Sequence, residues 1–286
     1  MYIEILLLTV ALVWLVFATV SDIKTREVPD WISFSLIIIS IALLLLDSAN
    51  KKDIRLLIAP AVYGIAFAII AFSMYYTKQW GGGDTKLLIP LGIIFSSYPE
   101  QLLKYFNPVI NLPFPVIIII NLLITGSAFS LIYSFYLAVK NKKEFLKEYK
   151  KHQLKKTKIT SLVLTIVLIV SSTYFQYPKN ILLILLSLII LITPFLVSFI
   201  KSVEKSCMIK NVPVDRLTEG DWLAEDIYSN KKLIISKNNL GLTKTQIEKI
   251  KKVRKEVLVK AGMPFVPSFL IAVLISLIFG NFIMPF

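Results

Sequence analysis

Two aspartates carry the chemistry this sequence can be read to perform. Asp22 follows the first apolar run in "FATVSDIKTREVPDW", and Asp84 precedes another in "WGGGDTKLL". Ionisable groups at membrane depth are rare because burying their charge is costly, so each is a functional candidate. Two carboxylates within hydrogen-bond distance cannot both ionise easily, and one of them keeps a proton at neutral pH. The ionised partner can take a proton from water while the protonated one polarises a peptide carbonyl. That is aspartic-protease chemistry, and it needs no metal. The triplet Gly81, Gly82 and Gly83 would let an extended substrate backbone approach and let Asp84 swing into place, since glycine tolerates angles closed to other residues. Each aspartate also has a plain structural reading: Asp84 as a helix N-cap after an ordinary glycine turn, Asp22 as a helix end beside Lys24 and Arg26. Their common face and depth favour function.

Other chemistries lack their residues. His152 is the only histidine and sits in a lysine-rich loop, where a solvated ring is expected. Neither a histidine metal site nor a Ser-His-Asp arrangement can be assembled around it. Cys207 is the only cysteine, which excludes a disulfide framework and suggests a small buried apolar side chain. The "GGGD" stretch lacks the spacing of a phosphate loop. No metal and no cofactor is implied.

The elements that must position the aspartates are membrane helices. With 56% hydrophobic and 17% charged residues, the 286-residue chain is too apolar for a soluble domain. Apolar runs long enough to be weighed as spans fall at 3–20, 31–46, 55–77, 87–97, 113–139, 159–175, 181–200 and 264–284. The first has no basic n-region and no small-residue cleavage site, and is kept as a mature span. The fourth is too short to cross a core roughly 30 Å thick unless it continues through "SSYPEQLLKYF" or the bilayer thins. The expected fold is therefore an all-α polytopic membrane protein of about eight transmembrane helices, or six to seven if short runs fail to cross, with a small cytoplasmic α+β module.

Four regions follow. Residues 1–139 form the catalytic transmembrane core, 140–200 a basic cytoplasmic loop and an additional transmembrane hairpin, 201–263 the α+β module, and 264–286 a C-terminal transmembrane helix. In the module, "CMIKNV", "KLIIS" and "EVLVK" read as strands, and "LTKTQIEKIKKV" as a helix with Thr243 as N-cap and Gln246 completing a capping box. The loop 140–158 holds nine lysines and belongs inside by the positive-inside rule. If all eight segments cross, Asp22 and Asp84 share that face; without the fourth span they lie on the face opposite the lysine-rich loop. The net charge of +14 sits in loops, which points to anionic lipid headgroups and not to nucleic acid.

The residues around the aspartates resemble a known family, the GxGD-type intramembrane aspartyl proteases, and within it the archaeal preflagellin and type IV prepilin leader peptidases. Gly81, Gly82, Gly83 and Asp84 match the GxGD pattern, with Lys86 matching the lysine that often follows. Asp22 with "IKTREVPDW" resembles the segment of the first catalytic aspartate. "LPFPVIIIIN" and the closing "NFIMPF" are similar to preflagellin peptidases as well. The likeness covers about 1–139 and 256–286, and the module resembles a region of some archaeal members. It implies that Asp22 and Asp84 are the catalytic pair. The substrate would be an archaellin or type IV pilin-like precursor, cut at the cytoplasmic membrane face between its short basic leader and its hydrophobic helix. Glu27 and Asp30 could attract that leader; Lys86 could tune Asp84 or meet lipid phosphate. Two other readings stand beside this one: a proton- or ion-coupled carrier using the same two aspartates, and a nonenzymatic anchor for the 201–263 module.

Overall fold

The computed structural model describes residues 2–152, 154–229 and 232–282. Every apolar run becomes a helix: α1 (Tyr2–Thr25), α2 (Asp30–Lys51), α3 (Ile58–Tyr76), α4 (Gly82–Ile94), α5 (Phe114–Lys140), then α6 (Lys142–Lys151), α7 (Lys155–Ser172), α8 (Lys179–Val203), α9 (Lys244–Lys251) and α10 (Val266–Phe279). Length and composition suit only five spans among the described residues, not eight: Ile3–Thr25, Asp30–Lys51, Ile54–Tyr76, Phe114–Lys140 and Lys179–Met208.

The three shortfalls have separate causes. Helix α4 has 13 residues, about 20 Å at ~1.5 Å per residue. It does not continue through "SSYPEQLLKYF", because Pro99 is followed by a separate 3-10 turn, Glu100–Lys104. Helix α10 has 14 residues, with Pro267 in its first turn and Gly280 at φ +73° just beyond its end. Proline favours a helix start, and the left-handed glycine ends one. Helix α7 has 18 residues, but its first turn contains Lys155, Lys156 and Lys158. The expected run 264–284 extends past the described residues, as does most of "NFIMPF".

The chain divides into two compact units. The first comprises residues 1–132, 238–243 and 262–286. Its core gathers Leu15 of α1, Leu36 of α2, Leu87 and Leu91 of α4, Ile117 of α5 and Phe269 of α10, all buried. Small residues let α3 and α4 lie close: a methyl at Gly92 would fall 2.6 Å from Phe67 Cγ and 2.7 Å from the Tyr63 carbonyl oxygen. Close backbone approach through glycine is a usual means of packing membrane helices. At one end of α10, Asn121 donates to Ser276 Oγ and the Gly280 carbonyl, both at 2.8 Å. Nearby the Tyr98 hydroxyl donates to the Leu277 carbonyl at 2.8 Å.

The second unit comprises residues 133–237 and 244–261. Here α7 and α8 form a hairpin, with Thr165 Oγ1 donating to the Ser187 carbonyl at 3.1 Å. Residues 142–151, read from the sequence as loop, are the helix α6 instead. Its polar and apolar residues alternate at helical spacing, a pattern that lysine content hides from a hydropathy reading. The His152 ring, expected to be solvated, turns back to the Glu148 carbonyl at 2.9 Å. Cys207 is half-buried with Sγ against the Leu137 carbonyl.

All three expected strands occur, as β1 (Ile209–Pro213), β4 (Lys232–Ile235) and β5 (Glu256–Lys260); two short ones, β2 (Trp222–Leu223) and β3 (Ile227–Ser229), add to them. Strand β5 is central and antiparallel to both β1 and β2, while β3 and β4 pair separately. Val257 and Val259 of β5 point inward in alternation, and α9 begins directly after Thr243 with Ile247 and Ile250 buried.

The close approach of α3 and α4 yields a stability prediction. Gly92→Ala should cost about 1–3 kcal/mol, the range for overpacking, and lower the thermal unfolding midpoint in detergent. Gly262→Ala, where a methyl meets nothing within 4 Å, should leave the midpoint unchanged.

Candidate active site

Asp22 lies in the last turn of α1 and is only 5% exposed. Its Oδ2 accepts the Val266 backbone N–H at 2.8 Å. That donor exists because the first N–H groups of a helix have no partner within it, and Val266 opens α10. Arg26 reinforces the arrangement, its guanidinium donating to the Gly262 carbonyl at 3.1 Å. The turn after α1 is tightened by Ser21 Oγ, which donates to the Glu27 carbonyl at 2.9 Å.

Asp84 lies in the first turn of α4, outside the five long spans. It is not the N-cap: Gly81 holds that position, and the Asp84 carboxylate reaches back to accept the Gly81 N–H at 3.2 Å. This is the carboxylate half of a capping box. The residue is half-buried, but protein crowds its carboxyl. Burial first, and the nearby charge of Asp22 second, push Asp84 up to about 7, against the lowering effect of the Gly81 N–H.

The turns bearing the two aspartates touch. Val28, six residues after Asp22, packs against Gly83 so closely that a methyl there would lie 3.0 Å from Val28 Cβ. Lys86 Nζ meets Asp30 Oδ1 at 2.6 Å and lies 5.8 Å from the Phe34 ring centroid. Lys86 thus ties the start of α4 to the start of α2. Glu27 and Asp30, five and eight residues after Asp22, are exposed.

The glycines adopt no left-handed angle in this structure. Gly81 has φ −72°, and neither Gly82 nor Gly83 is among the positive-φ residues. What matters in this state is the missing side chain at Gly83.

Sequence reasoning missed several contributors. Trp80 packs against Phe265 and Phe269, with ring centroids 5.8 and 5.6 Å away, and so joins the glycine turn to the start of α10. The Tyr75 hydroxyl donates to the Leu240 carbonyl at 3.2 Å. A tryptophan directly before three glycines, and a proline opening the last apolar run, were the available signals. Among the described residues, no three His, Cys, Asp or Glu side chains gather into a set able to hold a metal ion.

Residues 9–137 match the type IV leader peptidase family, a region that includes both aspartates. Across 99% of its length the chain is 20% identical to the prepilin peptidase EppA of Methanothermobacter thermautotrophicus, covering 97% of that protein. It is 28% identical to the preflagellin peptidase of Methanococcus maripaludis over 37% of this chain and 48% of that one. With the preflagellin peptidase of Methanocaldococcus jannaschii it shares 28% identity over 39% of this chain and 49% of the relative. The chain thus spans nearly all of the first relative and about half the length of the other two. No solved structure matches it. The resemblance to archaeal prepilin and preflagellin peptidases therefore holds, and the full-length match extends it through the central region absent from the shorter likeness.

The contact at Gly83 separates two uses of the glycines. Gly83→Ala should lower the unfolding midpoint by an amount equivalent to about 1 kcal/mol, whereas Gly82→Ala, whose methyl would stand 3.9 Å from Tyr75, should change it little. Equal losses in the two variants would show that backbone latitude, and not close packing, is the requirement.

Proposed function

We propose that the chain is a membrane-embedded aspartyl endopeptidase of the GxGD type, with Asp22 and Asp84 as its catalytic pair. Its substrates are archaellin or type IV pilin-like precursors, from which it removes a short basic leader at the cytoplasmic membrane face. The observation that carries this reading is the contact of the two aspartate-bearing turns, through Val28 against Gly83 and Lys86 with Asp30. The family match and the names of the relatives support leader-peptide processing as the activity.

In this mechanism the pair shares one proton, which Asp84 holds. The Asp22 carboxylate takes a proton from a water whose oxygen attacks the scissile carbonyl carbon, and Asp84 donates a hydrogen bond to the carbonyl oxygen as charge develops there. When the tetrahedral species collapses, the C–N bond breaks and Asp22 returns its proton to the leaving amine. The Val266 N–H holds Asp22 in one orientation throughout. Glu27 and Asp30, both exposed, would attract a basic leader, and Lys86 limits how strongly Asp30 can do so.

Cleavage of a preflagellin or prepilin in membranes containing the protein tests the pair. At matched expression, Asp22→Asn and Asp84→Asn should each reduce cleavage at least a hundredfold, the lower bound for loss of acid or base assistance. Cleavage that survives either substitution would sink the aspartyl mechanism. The pH dependence follows from Asp84: its raised pKa of about 7 keeps the proton in place below that pH and loses it above. The cleavage rate should therefore decline as the pH rises through about 7, and a rate flat to pH 9 would assign the proton elsewhere.

A further inference from the structure

An open groove of about 600 Å³ lies in the second unit, walled by the last turns of α5, by α6 and by the later turns of α8. Phe135, Ala138, Phe145, Leu196 and Phe199 line it, and Lys142 is the one charged residue in its wall. The volume falls within the usual range for small-ligand pockets. Its lining offers a ligand almost nothing polar except at one edge.

That edge is cationic. Lys158 Nζ stands 4.6 Å from the centroid of Phe195, another wall residue, and 5.8 Å from that of Tyr149. Segment 140–158 holds nine lysines against two glutamates, Glu144 and Glu148. Of these, Glu148 is paired with Lys151 at 2.7 Å, and this hydrogen bond holds its carboxyl below the usual range. Helix α6 turns Phe145 onto Phe199, with ring centroids 5.5 Å apart. A lysine-rich amphipathic helix with its aromatic side down suits the headgroup region of a bilayer.

We propose that this groove is a lipid site, holding one acyl chain of an anionic phospholipid whose phosphate meets Lys142 and Lys158. Charge selects this occupant. A second copy of the chain would bring the same lysines against the rim, and a precursor helix would bring its basic leader there; both are repelled. An anionic amphiphile matches the apolar wall and the cationic edge together. The site differs from diffuse attraction between a basic surface and a membrane, because it requires the shape of the groove as well as the charge. It stands independently of the peptidase reading.

The test uses the full-length protein in an uncharged detergent, mixed with equimolar dioleoyl phosphatidylglycerol and dioleoyl phosphatidylcholine and weighed by native mass spectrometry. The wild type should retain one phosphatidylglycerol with roughly thirtyfold preference, as expected for two lysines near a phosphate. Leu196→Trp, at the rim where the residue is 37% exposed, and Ala138→Trp, deeper in the wall, should each lose that lipid with every lysine in place. Lys142→Gln combined with Lys158→Gln should keep a bound lipid and lose the preference. An unchanged phosphatidylglycerol adduct in a correctly melting Leu196→Trp protein would reduce the effect to diffuse charge and overturn the site. So would a wild type that retains no phosphatidylglycerol, or a wild-type dimer that Leu196→Trp dissociates.

Discussion

A carboxylate enclosed by apolar helices is stable only where hydrogen-bond donors meet it, and here the donors are backbone N–H groups at the beginnings of two short helices. Val266 opens α10 and donates to Asp22; Gly81 precedes α4 and donates to Asp84. A helix can offer free N–H groups only where it starts. Both helices therefore begin at the aspartates. Their lengths are set at the other ends, where Pro99 and a 3-10 turn follow α4 and Gly280 at φ +73° follows α10.

The far ends of the same helices are tied together by a second set of polar contacts. Tyr98, just past α4, bonds the Leu277 carbonyl, and Val109 exchanges backbone hydrogen bonds with Phe279 and Asn281. Asn121 of α5 reaches Ser276 and Gly280 at that end, while Gly126 lies against Phe265 near the other. Helix α5 therefore runs back along α10 toward the level of Asp22. A methyl at Gly280 would stand 2.3 Å from the Val109 carbonyl oxygen, so glycine is needed there for both its φ and its lack of bulk. Fixing one end of α10 steadies the amide at its other end, which orients Asp22.

The apolar helices and the strands of the module were legible because each leaves a local mark, long hydropathic stretches and the alternation in "EVLVK"; charge beside an apolar run marks Asp22 and Asp84 as candidates in the same local way. Length was misleading for the three shorter apolar helices. For α4 and α10 the reason is an early end, before Pro99 and at Gly280, and for α7 the reason is three lysines in the first turn. Helix α6 was hidden because a chain of lysines looks like a loop until Phe145, Leu146 and Tyr149 are placed on one face. The role of Val266 could not be read at all, since a backbone amide 244 residues from Asp22 leaves no signature in residue type. Tertiary contacts of this kind are carried by geometry, and only the proline that starts α10 hints at where they fall.

Whether the two aspartates share a face does not depend on counting eight spans. After Asp22 the chain passes through α2 and returns through the span Ile54–Tyr76, two segments that are each long and apolar enough to cross. If both cross, Tyr76 returns to the side on which α1 ended, in keeping with the contact of Gly83 with Val28. The doubtful α4 comes afterwards, so it has no bearing on the pairing. What α4 does decide is the face of the lysine-rich loop: with α5 as the one crossing after Asp84, residues 140–158 fall opposite the aspartates, and with α4 crossing as well they share a face. At about 20 Å, α4 and α10 match one another in length, and both fall short of a core roughly 30 Å thick. A bilayer that fits both must thin around them, or admit water at one end. Both α4 and α10 begin at the aspartate-bearing turns, so the proposed pair lies at one common end of the two short helices.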